Sequence, residues 1–371
     1  MRYLICFFSA LLLSGCANHA ADAVRINNAL MGGGADELKR YKNNPYILQA
    51  ESPFSAGDLY PNATAPAIYH RNIDAVRYLI SQDAVHNVSI WHRPVEGGFR
   101  ATPVNVPAAE LACGLGAFDI MELLEKTYPV QKVNYTNCLH YLVGSGYVSM
   151  KYSFRHERTQ AEINSGVKKL LALGGDPMVL PEYGRPMQLD VLHDLTINRS
   201  TASERLALLK ILLDHGVDPN TEYPYLNAKE TMLTNLAIYT DQVMASAAAK
   251  MLVQYGAQAN KLVSRSVVYD ASSPHAYNRQ TRQVTALHMA RFFDKNDYAA
   301  TLIELGADLN RPDSTGRLAK SYAGSFQRIE TKRRQLLALA PVETTTSEER
   351  GGSSFSVIMG ILEVTGSAMG Y

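Results

Sequence analysis

Apolar residues recur at helical spacing along most of the chain, and four of these runs end alike: Leu170–Pro177, Leu212–Asn220, Leu252–Asn260 and Leu302–Asn310. Each predicts a helix stopped by a glycine. Gly216 and Gly306 are expected in the left-handed conformation, where a side chain would meet the backbone. Leu111–Leu124 reads as helix, glycine turn, helix, and Ala67–Ile80 repeats that order. Gly174, Gly216, Gly256 and Gly306 stand 42, 40 and 50 residues apart. That is more than one helix pair needs, so the surplus is expected in hairpin fingers at residues 83–101, 176–188, 219–230 and 261–284.

Ahead of the last stop stands Thr285-Ala286-Leu287-His288-Met289-Ala290. Weaker copies begin at Asp190, Thr231 and Asn137. The first of these motifs resembles the T-P-L-H-x-A opening of ankyrin repeats, with Ala286 in place of the proline, and Leu302–Asn310 resembles the end of such a repeat. The resemblance implies an all-α ankyrin-repeat solenoid of about six core repeats over residues 60–310, with caps and long hairpin fingers. It also implies that His140, His193 and His288 hold neighbouring turn backbone. The last unit begins at Asp313 and carries a basic face from Lys320 to Arg334. Asp36–Tyr41 belongs to a degenerate first unit.

The amino terminus differs in kind. Arg2 precedes an apolar run, Leu4–Leu13, which is too short to span a bilayer and ends in Leu13-Ser14-Gly15-Cys16. This resembles the signal peptide and lipobox of bacterial lipoproteins. The resemblance implies cleavage after Gly15, acylation of Cys16 and a membrane partner through the lipid anchor. In the sorting rule of enterobacterial lipoproteins, Ala17 then directs the chain to the outer membrane, facing the periplasm. The expected divisions are residues 1–15 as signal peptide, 16–59 as anchor, linker and cap, 60–340 as the repeat domain and 341–371 as a polar linker with an apolar tail. That tail, Phe355–Tyr371, is too short and too broken to span a bilayer.

Cys113 and Cys138 are the thiols left in the folded part. An oxidising compartment permits a bond between them. The repeat phase places Cys113 more than a helical turn beyond Cys138, so an offset of about 5.4 Å adds to a helix spacing of about 8 to 10 Å. Two free buried thiols are expected, because the pair would exceed the disulfide limit of about 7 Å between α-carbons.

Thirty-six Lys and Arg against 35 Asp and Glu leave a net charge of +1, which gives no field to gather nucleic acid. The chain holds no glycine-rich phosphate cradle, nucleophile elbow or His-Glu-x-x-His zinc motif, so no catalytic residue, metal or cofactor is expected. Asp74, Asp119 and Glu204 fall at starts of second helices, while His70 and His215 fall at helix ends, where a partial positive charge suits the carbonyls. The fingers carry Trp91, His92 and Arg93; Tyr183 and Arg185; Tyr223 and Tyr225; Tyr269, His275, Tyr277 and Arg279. Aromatic and Arg side chains dominate binding hot spots, although such residues can also pack loops onto their own helices. They are taken as contacts for a protein partner.

Lipobox and repeats together resemble the ankyrin-repeat lipoproteins that inhibit type VI secretion phospholipase effectors. The function so implied is immunity against a phospholipase toxin. The alternative is an assembly or protective cofactor of a resident periplasmic enzyme or envelope complex.

Overall fold

The computed structural model describes residues 21–49, 62–92, 102–143, 159–179, 188, 191–192, 202–225, 228–239, 241–268 and 279–324. The chain divides into two compact units, Met1–Met187 and Gln188–Tyr371. Helix dominates the described residues, whose strands form three separate antiparallel hairpins.

The first unit opens with α1 (21–32), α2 (Ala35–Leu38), a 3-10 turn at Lys39–Tyr41 and α3 (Pro45–Leu48). Helices α4 (Thr64–Tyr69) and α5 (Ile73–Ser81) follow, then β1 (Val88–His92) and β2 (Thr102–Val106), then α6 (Ala108–Gly114), α7 (Phe118–Thr127), α8 (Tyr135–Val143) and α9 (Gln160–Ala172). The second unit holds α10 (Ala202–Asp214), β3 (Tyr223–Tyr225), β4 (Ala228–Glu230), α11 (Met232–Tyr239) and α12 (Gln242–Gln254). It continues through β5 (Val263–Val268), β6 (Arg279–Val284), α13 (Ala286–Phe292), α14 (Asn296–Glu304) and a 3-10 turn at Ala319–Tyr322.

First helices pack on first helices and second on second: α4 on α6 and α5 on α7 in one unit, α11 on α13 and α12 on α14 in the other. Their buried rows are mostly aliphatic, as the periodicity required. Tyr298, fully buried on α14, ties the two rows of its unit together by donating to the Leu233 carbonyl at 2.8 Å.

Helix ends carry the repeat. At Gly306, φ is 93°; its N–H donates to the Ile303 carbonyl and the Ala307 N–H to the Leu302 carbonyl. These two bonds are the Schellman closure, which satisfies carbonyls that a bare helix end would leave open. The same pair closes the helices at Gly174, Gly216 and Gly256, all at positive φ. Both left-handed glycines expected from sequence are therefore in place. Arg71, Asp83 and Asp294 make the closure without glycine, and they are the non-glycine residues at positive φ among those described. Asp83 follows Arg71 by 12 positions and Gly306 follows Asp294 by 12, so the interval from the end of a first helix to the end of its second helix recurs in both units.

Turns after the second helices are joined by a repeated asparagine bridge. Asn220 donates to the Gly256 carbonyl at 2.9 Å and accepts from the Gln258 N–H at 2.8 Å. Asn260 does the same one unit later, with the Gly306 carbonyl at 2.9 Å and the Asp308 N–H at 2.7 Å.

The cysteines correct the sequence reading: Cys113 and Cys138 form a disulfide, with α-carbons 5.5 Å apart. Helix α8 begins at Tyr135, so Cys138 is its fourth residue while Cys113 is the sixth of α6. The offset is two residues, about 3 Å, and not a full turn. Gly114 brings the helices closer than ordinary side chains allow, since a methyl group there would lie 2.5 Å from the Tyr141 Cβ.

Candidate protein-binding edge

Each hairpin has the same place in the chain. It leaves a second helix and leads within two residues into a first helix: β1–β2 into α6, β3–β4 into α11, β5–β6 into α13. Of the four expected fingers, 219–230 and 261–284 contain a whole hairpin, 83–101 contains β1 but stops short of β2, and residues 180–187 of the fourth lie outside the described residues. Val88 and Val106 are register partners at the base of the first hairpin, as Val263 and Val284 are in the third, and all four are buried. The first and third hairpins are thus rooted by apolar pairs next to the helices that they feed, while the buried pair at the base of the second is Tyr223 and Glu230.

The third hairpin has a second root that the sequence reading missed. Side chains two apart on a strand share a face, so Arg265 points inward with Val263. Arg282 is its register partner on β6. Both arginines are buried, and each meets a carboxylate: Arg265 pairs with Glu230 at the end of β4, and Arg282 with Asp313 at 3.4 Å. Glu230, fully buried, also accepts from the Asn235 amide at 2.7 Å. Burial would raise the Asp313 carboxyl, but donation from the Tyr322 hydroxyl, the Arg317 N–H and Thr315 outweighs it and holds the group below the usual carboxylate range. The available signal was an arginine at an inward position of a valine strand.

The proposed contact residues divide into three groups. Trp91 and His92 lie on β1, Tyr225 ends β3 and Arg279 opens β6, and for these the backbone alone is described. Trp91 stands opposite Pro103, and Arg279 opposite Val268. Arg93, Tyr183, Arg185, Tyr269, His275 and Tyr277 lie outside the described residues, as does Cys16. Tyr223 is corrected: it is 1% exposed, so it fills the base of its hairpin and offers no contact to a partner. Burial pushes its hydroxyl pKa up.

The histidines of the helix openings also have defined partners. His288 Nδ1 accepts from the Thr285 N–H at 3.3 Å, and Nε2 lies 3.2 Å from the Arg317 carbonyl of the following turn. Thr285 and His288 thereby cap α13 reciprocally. At the matching place ahead of α11, Thr234 replaces the imidazole and accepts from the Thr231 N–H at 2.8 Å. His140 Nε2 reaches the Val179 carbonyl at 3.0 Å. His193 lies outside the described residues. Burial lowers the pKa of His70, which works against the positive charge expected at that helix end. His215 does bond a terminal carbonyl, with Nδ1 2.9 Å from Ile211 O.

Among the described residues no group of three or more His, Cys, Asp and Glu is placed to hold a metal, and no helix is long and apolar enough to cross a membrane. Asp74, Asp119 and Glu204 occupy first turns of α5, α7 and α10. No protein-family model matches the chain, and no curated protein matches it.

Proposed function

We propose that this chain is a membrane-anchored periplasmic binding module of the ankyrin type, and that it serves as an immunity protein neutralising a type VI secretion lipase toxin. Support for the ankyrin type comes from the recurring 12-position interval between the ends of paired helices, the Thr285–His288 cap and the asparagine bridges. The observation that carries the binding role is the recurrence of a rooted hairpin ahead of a first helix, three times among the described residues. Hairpins anchored on the helices of each unit give a partner preset strands to bind, and such preorganisation lowers the ordering cost of association. Cys16 acylation would confine the inhibitor to the thin layer where a phospholipase meets its lipid, which raises its effective concentration there.

The test is survival of cells given a periplasmic phospholipase toxin encoded beside this chain, with and without the protein, together with toxin capture. Protection and capture are expected. Trp91→Ala combined with Tyr277→Ala should weaken capture by about 2 to 4 kcal/mol with no change in thermal midpoint, as truncation of hot spots does. Tyr223 is left intact because its removal would open a cavity. Neither protection nor capture by the wild-type protein would end the immunity reading.

A further inference from the structure

The cystine joins α6 to α8 at a place that neither thiol can leave or enter once the helices are packed. Cys113 and Cys138 are both 0% exposed. Glycines surround α8 on its two packed sides. A methyl group on Gly114 of α6 would lie 2.5 Å from Tyr141 Cβ, one on Gly166 of α9 would lie 2.7 Å from Leu142 Cδ2, and one on Gly175 would lie 2.9 Å from Leu139 Cδ1. With its neighbours this close, α8 leaves no approach for a second thiol or disulfide to reach either sulfur in line.

We propose that Cys113 and Cys138 form a folding-coupled oxidation site: a disulfide-bearing oxidant joins them before α6 and α8 close, and the closed helices then shield the bond from thiols. In the first step one cysteine thiolate attacks the oxidant's disulfide, forming a mixed disulfide and releasing one oxidant thiolate. The second cysteine thiolate attacks the protein sulfur of that mixed disulfide and expels the other oxidant thiolate. The pair thereby loses two protons and two electrons, and the oxidant's disulfide becomes two thiols. Each attack needs a nearly linear array of three sulfurs, which a fully buried site between packed helices does not admit. Oxidation is therefore tied to the unfolded or partly folded chain, and the native fold preserves the result.

Two measurements on the full chain carrying Cys6→Ser and Cys16→Ser test this, so that only one pair can form. The oxidised protein is exposed to dithiothreitol, native or in denaturant, and the thiols are alkylated and located by mass spectrometry. Native reduction should be slower by more than about a hundredfold, since it must wait for a rare opening. In the second, the reduced chain is refolded with oxidised glutathione present from the start, or added only after folding is complete. The linked Cys113–Cys138 peptide should form readily in the first order of addition and far more slowly in the second. Equal reduction rates in the native and denatured protein would overturn the shielding, and equal oxidation in both orders would overturn the requirement for an open chain. A chain that yields no linked peptide under either order would overturn the proposal outright.

Discussion

Single residues set the conformation of each helix end, and two make measurable claims. Gly306 sits at φ 93° with open space where a Cβ would be, so a substitution there is opposed by backbone strain and not by a clash. Gly306→Val should lower stability by more than about 1 kcal/mol, as strain at positive φ does, and urea unfolding measures it. His140 makes a pH claim. Burial depresses its pKa from the ordinary 6.5 to about 4, and the Val179 carbonyl offsets this only in part. The unfolded chain therefore binds more protons between those values, and the contribution of the neutral ring is complete above 6.5 and lost as the pH falls towards 4. His70 and His288 shift in the same direction, again through burial. The depressed carboxyl of Asp313 withdraws its contribution only as the pH falls below the unfolded value of 3.8, outside this window. The thermal midpoint should fall from about pH 7 to about pH 5, and His140→Gln should reduce that fall. A flat profile would show that the histidines do not stay neutral in the fold.

At the scale of elements, the third hairpin depends on charges where a strand face would ordinarily be apolar. Arg265 and Arg282 face each other as register partners, and each is compensated from outside the hairpin, by Glu230 and Asp313. Removing one member leaves a buried charge without its counter-ion, which costs about 3 to 5 kcal/mol, whereas replacing both members with apolar residues is close to neutral. Arg265→Leu should therefore destabilise strongly, and adding Glu230→Leu should recover most of the loss in a denaturation series. Additive losses would mean that the pair is not coupled. This network was the part of the edge least legible in the sequence, because Glu230 and Asp313 lie 35 and 31 residues from their arginines. The second and third hairpins were legible from the excess spacing between glycine stops, since surplus chain between helix pairs has to leave the stack, whereas the first lies ahead of those stops and its second strand fell outside the expected finger. The cystine was misjudged for a definite reason. A phase argument assumed ordinary helix spacing, and Gly114 permits a closer approach. Tyr223 was misjudged because residue type alone cannot separate a hairpin's base from its tip.

For the molecule as a whole, the sequence carried the helix-dominated class and the repeated unit, because local signals such as glycine stops and helix-opening motifs recur in phase. The proposed address of the chain rests only on the resemblance of Leu13–Cys16 to a lipobox. On the proposed lipobox reading, membrane attachment rests on acyl chains at Cys16. Each buried methylene contributes about 0.8 kcal/mol, so one chain binds marginally while two or three hold firmly. Cys16→Ser removes the acceptor thiol and with it every chain. The variant should move from the membrane pellet to the soluble fraction. Its thermal midpoint and its capture of a partner in solution should stay as they were, because residue 16 lies ahead of the first described helix, 21–32. Fractionation and calorimetry on the same preparation separate these effects. If the variant stays with membranes at an unchanged midpoint, the anchor lies elsewhere in the chain, with the apolar residues Phe355–Tyr371 the next to truncate.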